Sequence, residues 1–177
     1  DRLLAARPKI ERQLAPIALD GVHKIRIHGD YHLGQVLVVQ NDLVIIDFEG
    51  EPGRPLVRRR TKQSALKDVA SMLRSFNYAV YTALARVTAD RPQDYAALWP
   101  VAQEWQRSVQ AVFLQGYREG VGDAASYPRD DTTADRLIRL FVLEKALYEL
   151  RYEFDHRPDW VGIPLRGILE WIEHSAE

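Results

Sequence analysis

The sequence predicts a mainly α protein, α+β overall, in which a small β-hairpin sits on a helical body. Two β-branched runs, Val36 to Val39 and Leu43 to Phe48, flank Gln40-Asn41-Asp42 and read as a hairpin. After Ser64, apolar residues recur at helical spacing over most of the remaining chain. The 177 residues, 46% hydrophobic and 28% charged, suit one domain with a substantial core.

The elements follow in order. Leu3, Leu4, Ile10, Leu14 and Ile17 predict an amphipathic helix, broken or kinked near Pro8 and closed before Gly21. Lys24 to His28 alternates and predicts a short strand, and the two glycines in 29–35 make that stretch a loop. The hairpin follows, its second run Leu43-Val44-Ile45-Ile46 read as a buried strand ending at Asp47. Glu51 to Lys62, with two prolines and a basic run, predicts an extended segment. Ser64 is a plausible N-cap for a helix carrying Leu66, Val69, Ala70, Leu73, Phe76 and Val80. Asp90-Arg91-Pro92 breaks it. A second long helix runs from Tyr95 to Tyr117 and stops among Gly116, Gly120 and Gly122. A third follows Asp130-Asp131-Thr132-Thr133 to about Phe154, Arg157-Pro158-Asp159 ends it, and Leu165 to His174 is a short last helix.

Bulk composition excludes several classes. A formal net charge of −1 gives no global pull toward nucleic acid or a membrane surface. Without cysteine there is no disulfide and no thiolate metal site, which fits a reducing cytoplasm. No run of about 18 apolar residues and no signal-peptide pattern is present. The chain starts at Asp1 and runs straight into helix-like sequence, so it reads as a piece of a longer protein.

The most specific stretch is Ile27-His28-Gly29-Asp30-Tyr31-His32-Leu33-Gly34-Gln35, with Asp47-Phe48-Glu49-Gly50 behind an apolar strand. A carboxylate, an amide and a second carboxylate at these spacings are what phosphoryl transfer needs. One Asp orients an acceptor hydroxyl and takes its proton; an amide oxygen and another Asp hold Mg²⁺ against nucleotide phosphates. Asp30 is the candidate catalytic residue, and Gln35 and Asp47 the candidate metal ligands. An Asp beside glycine alone would be a turn cap, but the three together favour chemistry. Glu49 either touches a second metal or its water, or is solvated. His32 either faces the phosphates or acceptor, or ties the loop; His28 packs beneath the loop. The two histidines sit four apart on a glycine loop rather than a helix, which does not make a zinc pair. No glycine-rich phosphate loop and no strand-borne nucleotide lysine precede this set.

Arg54, Arg58, Arg59, Arg60 and Lys62 read as a solvated charge run, with Arg59 and Arg60 as candidates for phosphate contact. Lys145, Tyr148, Glu149 and Tyr152 share one helix face, and Leu143, Leu147 and Leu150 another, read as core. Two phenols, an ammonium and a carboxylate suit a sugar, but the pattern alone favours an exposed face. The four tryptophans read as packing more often than function, and Trp160 either borders a pocket or clamps the last helix.

At His28-Gly29-Asp30-Tyr31-His32-Leu33-Gly34-Gln35 and Ile46-Asp47-Phe48-Glu49-Gly50-Glu51-Pro52, the chain resembles the maltokinases. These are bacterial members of the aminoglycoside-phosphotransferase-like, protein-kinase-like group. The resemblance continues through Lys67 to Phe76, Glu144 to Glu149 and Asp159 to Leu165, and so spans nearly the whole chain. It implies that residues 1–177 are the C-terminal lobe of a kinase-like domain, without the N-terminal lobe that supplies most of the ATP cleft. It implies transfer of the ATP γ-phosphoryl group, with Mg²⁺, to the anomeric hydroxyl of maltose, giving maltose 1-phosphate. It assigns Asp30 as catalytic Asp and Gln35 and Asp47 as Mg²⁺ ligands. It turns the face of Lys145, Tyr148, Glu149 and Tyr152 into the maltose site. Such enzymes stand alone or are fused behind trehalose synthase, and feed α-glucan building. The chain alone should then lack kinase activity, or nearly so, and a face left by the missing lobe could drive self-association.

Two other readings stand beside this one. An aminoglycoside or ketosamine phosphotransferase would share the motif, but a polycationic aminoglycoside would want an acidic face. A non-catalytic kinase-fold module would serve assembly, against which the intact Asp30, Gln35 and Asp47 count.

Overall fold

The computed structural model describes residues 5, 7–13 and 22–173. Of the expected N-terminal helix, α1 (Arg7–Gln13) is described; Leu3, Leu4, Leu14 and Ile17 lie outside the described residues. The expected strand over Lys24 to His28 is one isolated antiparallel bridge, Ile25 to Gln63. A few residues on, the backbone N–H groups of His28 and Gly29 go to the Asp68 carboxylate at 2.7 and 2.9 Å instead of to a strand.

The hairpin is β1 (Val36–Val39) and β2 (Asp42–Ile45), antiparallel with Val36 opposite Ile45 and Val39 opposite Asp42. Gln40 and Asn41 both adopt positive φ, 46° and 71°, the backbone of a two-residue turn whose twist matches the strands. Ile46 N–H still donates to the Gln35 carbonyl, and Asp47 then turns away at φ 64°. The expectation of a buried second strand is not met: Leu43 is 64% exposed, and Val44, Ile45 and Ile46 are exposed too. Among the described residues this is a two-stranded sheet, and nothing there covers its apolar side chains.

The segment expected to be extended contains α2 (Leu56–Arg60), a short helix entered from Pro55, whose fixed φ suits a helix start. The body is four helices: α3 (Leu66–Val87), α4 (Tyr95–Val121), α5 (Asp131–His156) and α6 (Gly162–Glu173). Ser64 Oγ accepts the Leu66 N–H at 3.3 Å, as its expected capping role requires. Helix α4 runs past the predicted stop, through Gly116 and Gly120, and ends at Gly122, where φ is 47°. A helical glycine costs about 1 kcal/mol against alanine, which packing on α3 offsets, whereas a positive φ ends the helix. Asp130 caps α5 by accepting the Thr133 N–H at 2.7 Å.

Helix α5 packs between α3 and α6. One cluster joins Leu66, Val69 and Leu73 of α3 to Ala134, Leu137 and Ile138 of α5; a second joins Leu143 and Ala146 to Ile168 of α6. Leu143 and Leu150 face this core as expected, but Leu147 is 46% exposed. Its place inward is taken by charge. Glu149 and Glu153 of α5 and Arg74 of α3 are buried, and Arg74 is only 1% exposed. Gly167 of α6 backs onto Arg74: a Cβ there would run into the guanidinium.

Candidate functional site

Two loops meet where the hairpin joins the helices. The first, 28–35, is fixed from below. The Asp68 carboxylate, in the first turn of α3, accepts the N–H groups of His28 and Gly29. His28 is buried; its Nε2 donates to the Ile46 carbonyl at 2.7 Å, and its Nδ1 accepts the Asp30 N–H at 3.3 Å. The Nε2–H tautomer satisfies both, so one imidazole ties the Asp30 loop to the end of the hairpin. Its ring also lies tilted against that of Phe48, centroids 4.7 Å apart. Ser75 Oγ accepts the Leu33 N–H at 3.0 Å, and His32 Nδ1 accepts that of Gly34 at 3.0 Å.

The second loop, 46–51, touches the first at Gly29 and Gly50. Both have positive φ, 84° and 78°, and a Cβ on Gly29 would lie 3.1 Å from Gly50 Cα. Gly29→Ala is therefore expected to destabilise by about 1–3 kcal/mol, read as a lower urea midpoint, because it adds both strain and a clash. Burial raises the Asp68 carboxyl above its usual range, against the lowering by the two N–H groups it accepts. A raised folded value means that the folded state holds the proton more tightly. Its contribution is full below the unfolded pKa and declines as pH rises through the folded one. The stability of the wild type relative to Asp68→Asn should thus fall as pH rises above the ordinary carboxylate range, read in urea titrations.

Gln35 and Asp47 come together as expected: Gln35 Nε2 donates to Asp47 Oδ2 at 2.9 Å. An amide and a carboxylate side by side, turned toward solvent, fit a hard cation that keeps waters and phosphate oxygens as its other ligands. No cluster of three His, Cys, Asp or Glu side chains that could hold a metal exists among the described residues. Glu49 is exposed and lies 3.5 Å from Arg59 Nη1, an ion pair rather than a contact with Gln35 or Asp47.

Beside Asp30 opens a cleft of about 440 Å³ between the loops, α3 and α5. Asp30, His32, Ser75, Tyr78, Lys145, Tyr148, Glu149 and Tyr152 line it, together with Glu51, Glu153 and Arg157. The four residues predicted to share a face of α5 all reach this cleft. Lys145 Nζ lies 3.4 Å from Asp30 Oδ1, joining positions 115 residues apart. Burial alone would lower the Lys145 ammonium, but Glu51, Asp30 and Glu149 outweigh it and raise it above the ordinary lysine range. Burial raises Glu149, against the Arg74 guanidinium, whose Nε donates to Oε2 at 2.8 Å. Burial also raises the Tyr148 and Tyr78 phenols. Glu153 Oε1 accepts from Tyr78 at 3.0 Å and from Arg157 at 2.7 Å.

Several residues here escape sequence reasoning. Asp68, Arg74 and Glu153 look like solvated helix charges. Glu51 and Arg54 fall in a segment read as extended and solvated, yet Glu51 is buried and paired with both Lys145 and Arg54. The available signal was Arg74 itself, a cation four residues after Ala70 and one after Leu73, on the apolar side of α3.

No family model matches the chain. Glucosamine kinase of Streptacidiphilus jiangxiensis is 33% identical over 173 residues, 97% of this chain and 37% of that protein. Glucosamine kinase of Mycolicibacterium smegmatis (strain ATCC 700084 / mc(2)155) is 28% identical over 176 residues, 98% of this chain and 41% of that protein. A solved structure of glucosamine kinase in complex with glucosamine, ADP and inorganic phosphate superposes with a TM-score of 0.74 at 29% identity, covering 98% of this chain and 41% of that one. Another, glucosamine kinase in crystal form B, gives 0.76 at 28% identity, covering 98% of this chain and 40% of that one. The chain thus spans about two fifths of the relatives it matches. Its fold is that of the corresponding part of these sugar kinases, and its similarity to curated proteins points to sugar kinases without singling out a maltokinase. No helix among the described residues is long and apolar enough to cross a membrane.

Proposed function

We propose that this chain is the acceptor-side, C-terminal lobe of an ATP-dependent sugar kinase, and that its acceptor is maltose, phosphorylated at the anomeric hydroxyl. The observation that carries the kinase reading is the meeting of Asp30 with the Lys145 face of α5 at one cleft, beside the Gln35–Asp47 pair. In the proposed reaction Asp30 orients the hydroxyl and takes its proton as the sugar oxygen bonds to the γ-phosphorus. The bond from that phosphorus to the bridging oxygen breaks, and ADP leaves. Lys145, Tyr148, Glu149 and Tyr152 hold the sugar: rings against C–H faces, Lys and Glu to hydroxyls. Gln35 Oε1 and the Asp47 carboxylate would hold Mg²⁺, which when bound neutralises phosphate charge. The missing share of the nucleotide cleft belongs to a preceding lobe, and trehalose synthase is a candidate fusion partner.

The case for maltose rests on the motif resemblance and on a cleft roomy for one hexose ring. The names of the relatives favour a second acceptor, glucosamine, whose ammonium would suit the carboxylates of this cleft. The full-length parent, Mg-ATP and each sugar, followed by ³¹P NMR, decides between them. An anomeric phosphate signal with maltose supports the proposal. A phosphate ester formed with glucosamine alone replaces maltose by an amino sugar. No sugar phosphate from a folded parent returns the module to other acceptors or to a non-catalytic role.

A further inference from the structure

Glu51 joins the acceptor face to a line of alternating charge. Asp30 lies 3.4 Å from Lys145; Lys145 pairs with Glu51 Oε1; Arg54 pairs with Glu51 Oε2 and lies 4.0 Å from Glu144. Each Glu51 oxygen thus serves one cation, and the residue is 5% exposed. The turn that carries it is clamped to α5. The Arg54 guanidinium lies 5.1 Å from the Tyr148 ring centroid, and a Cβ on Gly53 would come 2.9 Å from the Tyr148 hydroxyl.

Lysine is a point charge on a flexible stem. Facing Asp30 alone, the Lys145 ammonium would close into a tight ion pair and occupy the oxygen that has to receive a proton. With Glu51 opposite, it is shared, and its contact with Asp30 stays long. An ammonium has three N–H groups, and two carboxylates use two of them. We propose that Glu51 is a positioning residue of the acceptor site: it holds the Lys145 ammonium beside Asp30 without letting it close there, leaving one N–H for an acceptor oxygen. This rests on the sugar-kinase reading above.

The groups that act on Lys145 are Asp30 and Glu51 from the two loops, Glu149 and the Tyr148 ring from its own helix, and Asp68 from α3. Arg54 reaches it through Glu51. Burial works to lower the ammonium, and Glu51 is the leading group opposing it. Removing the Glu51 charge should therefore move Lys145 titration to lower pH.

The test uses the full-length parent with ¹³C-labelled lysine, the Lys145 resonance being assigned by its loss in Lys145→Arg. In Glu51→Gln the Lys145 midpoint should move down, and kcat should fall about 10²-fold with KM for ATP unchanged, as misplacement of an acceptor-side group predicts. Its alkaline activity limb should move down with the midpoint, and Glu51→Asp should restore part of both. Arg54→Gln, on a partly exposed side chain, removes a cation that shares the Glu51 carboxylate and should move the midpoint up by a smaller amount; it serves if Glu51→Gln fails to fold, an unmoved midpoint there also overturning the proposal. An unmoved Lys145 midpoint in folded Glu51→Gln, or wild-type kcat with the alkaline limb unmoved, overturns the proposal. A moved midpoint with no sugar phosphate formed by the wild type keeps the placement of Lys145 by Glu51 and overturns the kinase reading instead.

Discussion

Asp30→Asn in the full-length parent is expected to cut sugar-phosphate formation by about 10³-fold, within the range of a lost general base. Asn has the size of Asp and keeps the backbone N–H that donates to His28 Nδ1, so the loop should hold its shape. It cannot take the hydroxyl proton. The loss should fall on kcat with little change in KM for the sugar, because Lys145, Tyr148, Glu149 and Tyr152 remain on the far wall of the cleft. Single-turnover transfer from labelled ATP reads this directly. A variant within about tenfold of wild type would remove Asp30 from the chemistry, since positioning alone would then account for the rate.

Arg74→Ala is expected to destabilise the fold by about 3–5 kcal/mol, the range for one partner removed from a buried ion pair. Arg74 Nε donates to Glu149 Oε2 at 2.8 Å, and Nη2 lies 2.7 Å from the same oxygen without hydrogen-bond geometry. Its guanidinium carbon is 5.8 Å from the Tyr78 ring centroid. The truncation leaves Glu149 buried without its cation, beside a cavity. Burial already raises the Glu149 carboxyl, and the loss of Arg74 removes the leading group that lowers it, leaving only Lys145, so it should rise further. A raised folded value favours the protonated folded state below the unfolded pKa and loses that advantage as pH rises. The penalty should accordingly be smaller at mildly acidic than at mildly alkaline pH, read from urea unfolding at both. An equal penalty at both would mean that the cavity, not the orphaned carboxylate, sets the cost.

The hairpin and the spacing of Asp30, Gln35 and Asp47 were legible because strand alternation and turn chemistry are local. The same holds for Ser64 and Asp130 at helix starts. The face of Lys145, Tyr148, Glu149 and Tyr152 was legible as a face; that it lines a cleft was not. Helical period tells which side chains point together, never what lies opposite them, and Leu147 shows the cost. A leucine at core spacing faces solvent while Glu149 and Glu153 point inward, because Arg74 and Tyr78 of α3 supply partners from elsewhere in the sequence, with Arg157 adding a local one to Glu153. The exposed hairpin misleads in the same way: apolar composition predicts burial only where a layer exists to provide it. Glu51 and Arg54 were hidden by their basic neighbours Arg58 to Lys62, whose run suggests solvent.

Gly167 has no side chain to offer, yet it limits what the acceptor cleft can be. Its bare backbone on α6 is the surface against which the Arg74 guanidinium rests, and Arg74 in turn fixes Glu149. In a saturation mutational scan selected only for growth on the sugar, position 167 should tolerate glycine and little else. A reader of that scan with no coordinates would find an intolerant site on the last helix, distant in sequence from every reactive group. The cleft's dimensions are inherited from a residue that never meets its contents.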